Sequence, residues 1–190
     1  MAQLFRPGAN TLARLALFAV ILGPLAAVLL LGALVRSPYR TAEAVTVDQP
    51  VPFSHQHHAG ELGIDCRFCH QSVETSAFAG MPSTKTCMAC HSQLWTNADM
   101  LAPVRESMAN GTPLVWNRVN NLPGYVYFDH HVHVRNGVPC VACHGDVRRM
   151  PLIRQAEPLT MGWCLDCHRD PVKRIVPASQ VFASDPHAEL

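Results

Sequence analysis

Four copies of one five-residue pattern constrain this chain more than any other feature. They are Cys66-Arg-Phe-Cys69-His70, Cys87-Met-Ala-Cys90-His91, Cys140-Val-Ala-Cys143-His144 and Cys164-Leu-Asp-Cys167-His168. Two cysteines three residues apart lie on one side of a helical turn, and the histidine that follows projects next to them. That arrangement suits two thioether bonds to the vinyl groups of one porphyrin, with an imidazole aimed at its iron. It is the attachment signature of c-type haem. The four copies use all eight cysteines of the chain. The expected cofactor is four covalently bound haem c groups.

The pattern sits inside a larger repeat. Phe53-x-His55-x-x-His58 precedes the first pair of signatures, and Phe128-x-His130-x-x-His133 precedes the second. The chain therefore reads as two imperfect dihaem modules, at about 53–91 and 128–168. Four haems need eight axial ligands. His70, His91, His144 and His168 supply four, and the repeat selects His55, His58, His130 and His133 for the others. His57 and His131 are then bystanders, and His187 is a tail residue. Methionine is the rival ligand, with Met81, Met88 and Met161 nearest the signatures. Two histidines three apart share a helical face, so each pair is expected to serve two different haems and tie them together.

Paired C-x-x-C motifs also occur in zinc ribbons. With 11 histidines in 190 residues, a histidine after all four pairs by chance is a coincidence on the order of 10⁻⁵, whereas haem attachment requires it. Disulfides are poorly served by three-residue spacing on a helical turn. A thioredoxin-like site needs one C-x-x-C near a βαβ pattern, which the chain lacks.

Residues 15–35, LALFAVILGPLAAVLLLGALV, hold no charged side chain and are long enough to span a bilayer. A cleaved signal peptide is the competing reading, and Ala42-Glu43-Ala44 offers a processing pattern. A signal core is shorter, however, and the retained helix is expected. Pro24 is tolerated within a membrane helix. Arg6 and Arg14 on one side balance Arg36 and Arg40 on the other, so charge leaves the orientation tied. Haem attachment outside the bacterial cytoplasmic membrane resolves it: residues 1–14 cytoplasmic, 15–35 transmembrane, 36–52 a linker and 53–190 a periplasmic tetrahaem domain. A net charge of +1, with no basic patch carrying interleaved aromatics, excludes nucleic acid as a partner.

The exported part carries thirteen of the fifteen prolines and no long amphipathic period. Packed porphyrins would supply the missing apolar bulk. The expected fold is a multihaem cytochrome c: short helices and loops wrapped round four haems behind one N-terminal transmembrane helix. Residues 71–86 read as loop. Residues 97–110 read as a short helix stopped at Asn110-Gly111. Residues 114–119 and 125–128, β-branched and aromatic around a Pro-Gly break, read as a small hairpin. The tail after His168 reads as extended along a partner or the surface.

Several phrases together resemble one known family. Phe53-Ser-His-Gln-His-His, Ala77-Phe-Ala-Gly-Met-Pro leading to Thr86-Cys-Met-Ala-Cys-His91, Pro123-Gly-Tyr-Val-Tyr-Phe128 and Trp163-Cys-Leu-Asp-Cys-His168 are similar to the multihaem cytochrome c subunit of alternative complex III. The resemblance runs from about residue 50 to 175. It implies an electron-carrier subunit, not an enzyme on its own, in a membrane complex that oxidises quinol and delivers electrons to a cytochrome c or an oxidase. The implied partners are an iron–sulfur subunit, polytopic quinol-site subunits and a monohaem cytochrome c. Members of that family usually carry five haems; this sequence shows four signatures.

The alternative is a membrane-anchored tetrahaem quinol dehydrogenase that feeds periplasmic reductases. Those proteins typically place a methionine two residues past an attachment histidine. Here the positions hold Ser72, Gln93, Asp146 and Asp170. A non-redox, zinc-binding membrane protein is the third class, and an absorption spectrum separates it from the other two.

Overall fold

The fold is described from a computed structural model, for residues 6–183 and Asp185. It divides into two compact units, 1–42 and 43–190.

The first unit is helix α1, Ala9–Arg36, followed by one turn, α2, Pro38–Thr41. Leucine, alanine and valine fill α1, and its helix continues through Pro24. Its end is closed by side chains, as exposed carbonyls require. Ser37 Oγ donates to Leu34 O at 2.6 Å, and Arg36 Nη1 donates to Gly32 O at 3.1 Å. No residue of α1 is buried, so its leucines and valines form a continuous exposed apolar surface. The helix is long and apolar enough to cross a membrane.

The second unit is mostly short helices and loops. Ala44 N donates to Gln155 O at 2.7 Å, and isolated bridges join Glu43 to Gln155 and Thr46 to Arg154. Residues 43–52, expected as linker, are thus part of this unit, and Val51 is buried against Leu101 and Val104. Six α-helical segments carry the signatures and what surrounds them, the first five being α3 (Cys66–Cys69), α4 (Thr84–His91), α5 (Ala102–Asn110), α6 (His130–Arg135) and α7 (Val141–His144). The last, α8, is Met161–Arg169. Helix α5 ends as its sequence demands, on Gly111 in the left-handed region at φ 65°. Thr84 of α4 and Ser107 of α5 share a hydroxyl hydrogen bond of 2.6 Å.

Two expectations are corrected. Residues 114–128 form no hairpin. A turn does close, with Val126 N donating to Pro123 O, but the upstream arm spends its hydrogen bonds elsewhere. Asn117 N donates to Gln49 Oε1, Gln49 Nε2 donates to Asn117 O, and Asn117 Nδ2 donates to Asp48 O. The tail is not extended either. Val176 and Val181 are buried; Val176 N donates to Gly137 O and Cys140 N to Val181 O. Two valines in a polar stretch are too sparse a signal to read as a docking segment.

Among the described residues the buried apolar side chains are Val51, Val73, Leu101, Val104, Met150, Val176 and Val181. A unit of this size ordinarily buries most of its apolar side chains.

Candidate haem centres

Each signature sits on a helical turn. Asp65 caps α3, accepting from Arg67 N at 2.8 Å, and its carboxyl is held down to about 2 chiefly by the Arg67 guanidinium. Thr160 caps α8, accepting from Trp163 N. In all four turns the two cysteines face one side and the histidine closes the turn.

Opposite these turns stand the histidines of the repeat. The rings of His58 and His91 are 6.1 Å apart between centroids, those of His130 and His144 6.3 Å, and those of His133 and His168 6.0 Å. Two imidazoles bound through nitrogen to one metal, with bonds of about 2.0 Å and ring centres roughly 1.1 Å further on, are separated by about 6.2 Å. Three of the four gaps therefore fit one iron each. His55 adjoins His70: burial lowers the His55 pKa to about 4, and His70 is the largest charge acting on it. His144 is lowered to about 4 by burial and then by His130, His70 and His55. Both are held neutral, the form that ligates a metal.

The tautomers agree. A ligating imidazole donates its other N–H to a fixed acceptor. His58 Nδ1 faces Ser54 O (2.9 Å), His130 Nδ1 faces Ala77 O (2.8 Å) and His133 Nδ1 faces Asp129 O (2.7 Å). His70 Nδ1 faces Gly80 O (2.7 Å), and His91 Nδ1 faces Leu94 O (3.2 Å). Donation from Nδ1 leaves Nε2 for the metal. His57 and His131 differ: their Nδ1 atoms pair with the carboxylates of Glu61 and Asp129.

The phenylalanine of the repeat has a role the sequence reading left unassigned. Phe53 stacks on His58 (4.3 Å, 25°) and meets His55 edge-on (4.9 Å, 89°). Phe128 repeats this with His133 (4.5 Å, 26°) and His130 (4.8 Å, 88°). One ring fixes two imidazoles, and its recurrence two residues before the first histidine of each pair was the available signal. Backbone geometry differs between the copies: the first is a π-turn, Gln56–Glu61, and the second is α6. Asn120, against His144 Nδ1 at 3.1 Å, had no sequence signal.

The sulfurs fit thioethers better than zinc thiolates. Burial pushes the Cys143 thiol up to about 11 and raises Cys69 and Cys87, disfavouring charged sulfur. Among the described residues no three His, Cys, Asp or Glu side chains converge as a metal cage. The thiols of Cys66 and Cys140 act on one another, lowering Cys66 and raising Cys140. The first signatures of the two modules are thus neighbours. Met81 and Met161 are exposed, and Met88 packs on the Val51 cluster. His187 lies outside the described residues.

These features are those of a multihaem cytochrome c, and the comparisons with known proteins point the same way. Residues 33–106 match the Class III cytochrome C family. The chain is also similar to a protein named menaquinone reductase, multihaem cytochrome c subunit, from Nitratidesulfovibrio vulgaris, with 36% identity over 98 residues. That likeness covers 51% of this chain and 46% of the relative, so this chain spans about half the length of the protein it matches.

Proposed function

We propose that this chain is the electron-relay subunit of a quinone-linked membrane complex, holding four covalent haems on the outer side of the bacterial cytoplasmic membrane. When bound, haem iron supplies a one-electron couple at each site. Cys66/Cys69, Cys87/Cys90, Cys140/Cys143 and Cys164/Cys167 hold the porphyrins. The histidines that would hold each iron are His70 with His55, His91 with His58, His144 with His130, and His168 with His133. The observation that carries this reading is the set of facing imidazoles. With both axial positions filled by protein, a site carries electrons and leaves substrate chemistry to partners.

The connections suggest an order. Residues three apart serve neighbouring sites within each module, and His70 and His55 lie near enough to His144 to act on its charge, which places the modules side by side. The sites then run His91, His70, His144, His168. The attachment histidine at the far end, His168, is exposed, a suitable terminus for exchange with a partner.

The complex proposed first is alternative complex III, oxidising quinol, with iron–sulfur, polytopic and monohaem partners and a cytochrome c or oxidase downstream. The named relative favours a second reading, in which electrons flow towards menaquinone. In either direction the quinone site belongs to other subunits, because residues 15–35 contain no ionisable group. Proton-coupled quinone chemistry needs such groups at membrane depth.

The test uses the full chain, its four haem additions checked by intact mass. Menaquinol or ubiquinol analogues should reduce it negligibly, whereas the intact complex should exchange electrons with them rapidly. Fast, inhibitor-sensitive reduction of the isolated chain would favour the tetrahaem quinol dehydrogenase. In the complex, menaquinol reducing the haems supports the first direction; menaquinone oxidising prereduced haems supports the second.

A further inference from the structure

Five of the imidazoles described above turn Nδ1 towards a backbone carbonyl. His144 does not: its Nδ1 faces the side-chain amide of Asn120, with Nδ2 at 3.1 Å. The other amide atom, Asn120 Oδ1, is buried and has no hydrogen-bond partner in the protein. As drawn, two donors face each other. If Nε2 of His144 binds iron, Nδ1 must carry the proton and needs an acceptor. Amide oxygen and nitrogen are interchanged by a half-turn of the terminal bond. That half-turn brings Oδ1 onto Nδ1–H and removes the orphaned acceptor, resolving both faults at once.

We propose that Asn120 is a positioning residue for the His144 site: its Oδ1 accepts from His144 Nδ1–H and sets the electron-donating strength of that imidazole, and hence the reduction potential of the haem it binds. The proposal rests on His144 and His130 being axial ligands. Backbone carbonyls do this for His58, His70, His91, His130 and His133, and cannot be changed by side-chain substitution. At this site the acceptor is a side chain, so the potential of one centre is encoded by one residue.

The sign is fixed by chemistry. A stronger acceptor gives the imidazole more anionic character and favours the ferric state. Loss of the acceptor favours the ferrous state. A role confined to packing would not send two near-isosteric variants in opposite directions.

Among the three pairs whose rings face each other above, this site has its own spectroscopic label, and loss of that label in His130→Ala assigns it. The His130 and His144 rings are nearly parallel, at 5°, whereas His58/His91 and His133/His168 are steeply crossed, at 66° and 77°. Parallel imidazoles give a rhombic low-spin ferric signal, and crossed ones give a more axial signal with a larger principal g value.

The experiment is a redox titration of the full haem-loaded chain, following the rhombic signal by electron paramagnetic resonance. Asn120→Asp should move that centre about tenfold towards the ferric form, 59 mV more negative by the one-electron relation, and Asn120→Leu should move it the opposite way. If the aspartate variant does not accumulate with haem, Asn120→Leu decides alone: a more positive midpoint supports the assignment, and an unchanged one overturns it. Shifts in the same direction, or none, with the rhombic signal intact, also overturn it. Survival of the rhombic signal in the His130→Ala variant would instead overturn the ligand assignment on which this one rests.

Discussion

Replacing His58 by alanine should convert one haem in four to the high-spin state and leave the others low-spin. The His58 ring stands 6.1 Å from His91, the separation that brackets an iron. Its orientation is fixed from two sides, by the Ser54 carbonyl on Nδ1 and by Phe53 stacked at 4.3 Å. Alanine leaves His91 as the only imidazole on that iron. His55 faces the His70 site, so the neighbouring centre keeps both ligands although it lies three residues away. His57→Ala is the control: its ring is paired with Glu61, and the spectrum should not change. Visible absorption and electron paramagnetic resonance read the outcome. A spectrum that stays fully low-spin in the His58 variant, or a loss at two centres, would refute the assignment.

A single methyl at Gly60 should destabilise the haem domain more than any surface change. The π-turn carrying His58 lies against the turn Val147–Arg149, and a Cβ on Gly60 would meet the Arg148 carbonyl oxygen at 2.3 Å. The obstacle is backbone, so no rotamer relieves it; one of the two turns must move. Overpacking of this kind costs roughly 1–3 kcal/mol. Gly60→Ala should therefore lower the unfolding midpoint of the haem-loaded chain by several degrees and disturb the His58 site spectrally. Gly124→Ala is the matched control, since a Cβ there meets nothing within 4 Å. Equal stability of the two variants would mean that this contact is absent in solution.

The attachment turns could be read from sequence because covalent chemistry dictates both residue type and spacing. The facing histidines were legible for a related reason: ligand demand equalled the supply offered by the repeat. The exposed apolar surface of α1 follows directly from its composition. What escaped depends on partners distant along the chain. Val51 reads as linker until Leu101 and Val104 cover it. The arm containing Asn117 reads as strand until Gln49 and Asp48 take its hydrogen bonds. Val176 and Val181 read as tail until Gly137 and Cys140 pair with their backbone. Asn120 lies in a loop whose local pattern signals only a turn, and its relation to His144 spans 24 residues.

The nearness of Cys66 and Cys140 bears on how such a chain is made. A polypeptide delivered N-terminus first presents Cys66 to the attachment machinery well before Cys140 arrives. Once the second module closes on the first, the Cys140 thiol lies beside Cys66, is more deeply buried, and its pKa rises. On the proposed function, ligation at both would precede that closure, so the last signatures to emerge would set when the domain shuts. Two modules that look separable on paper mature as one piece, and a chain truncated between them would leave a reactive thiol where its counterpart should lie.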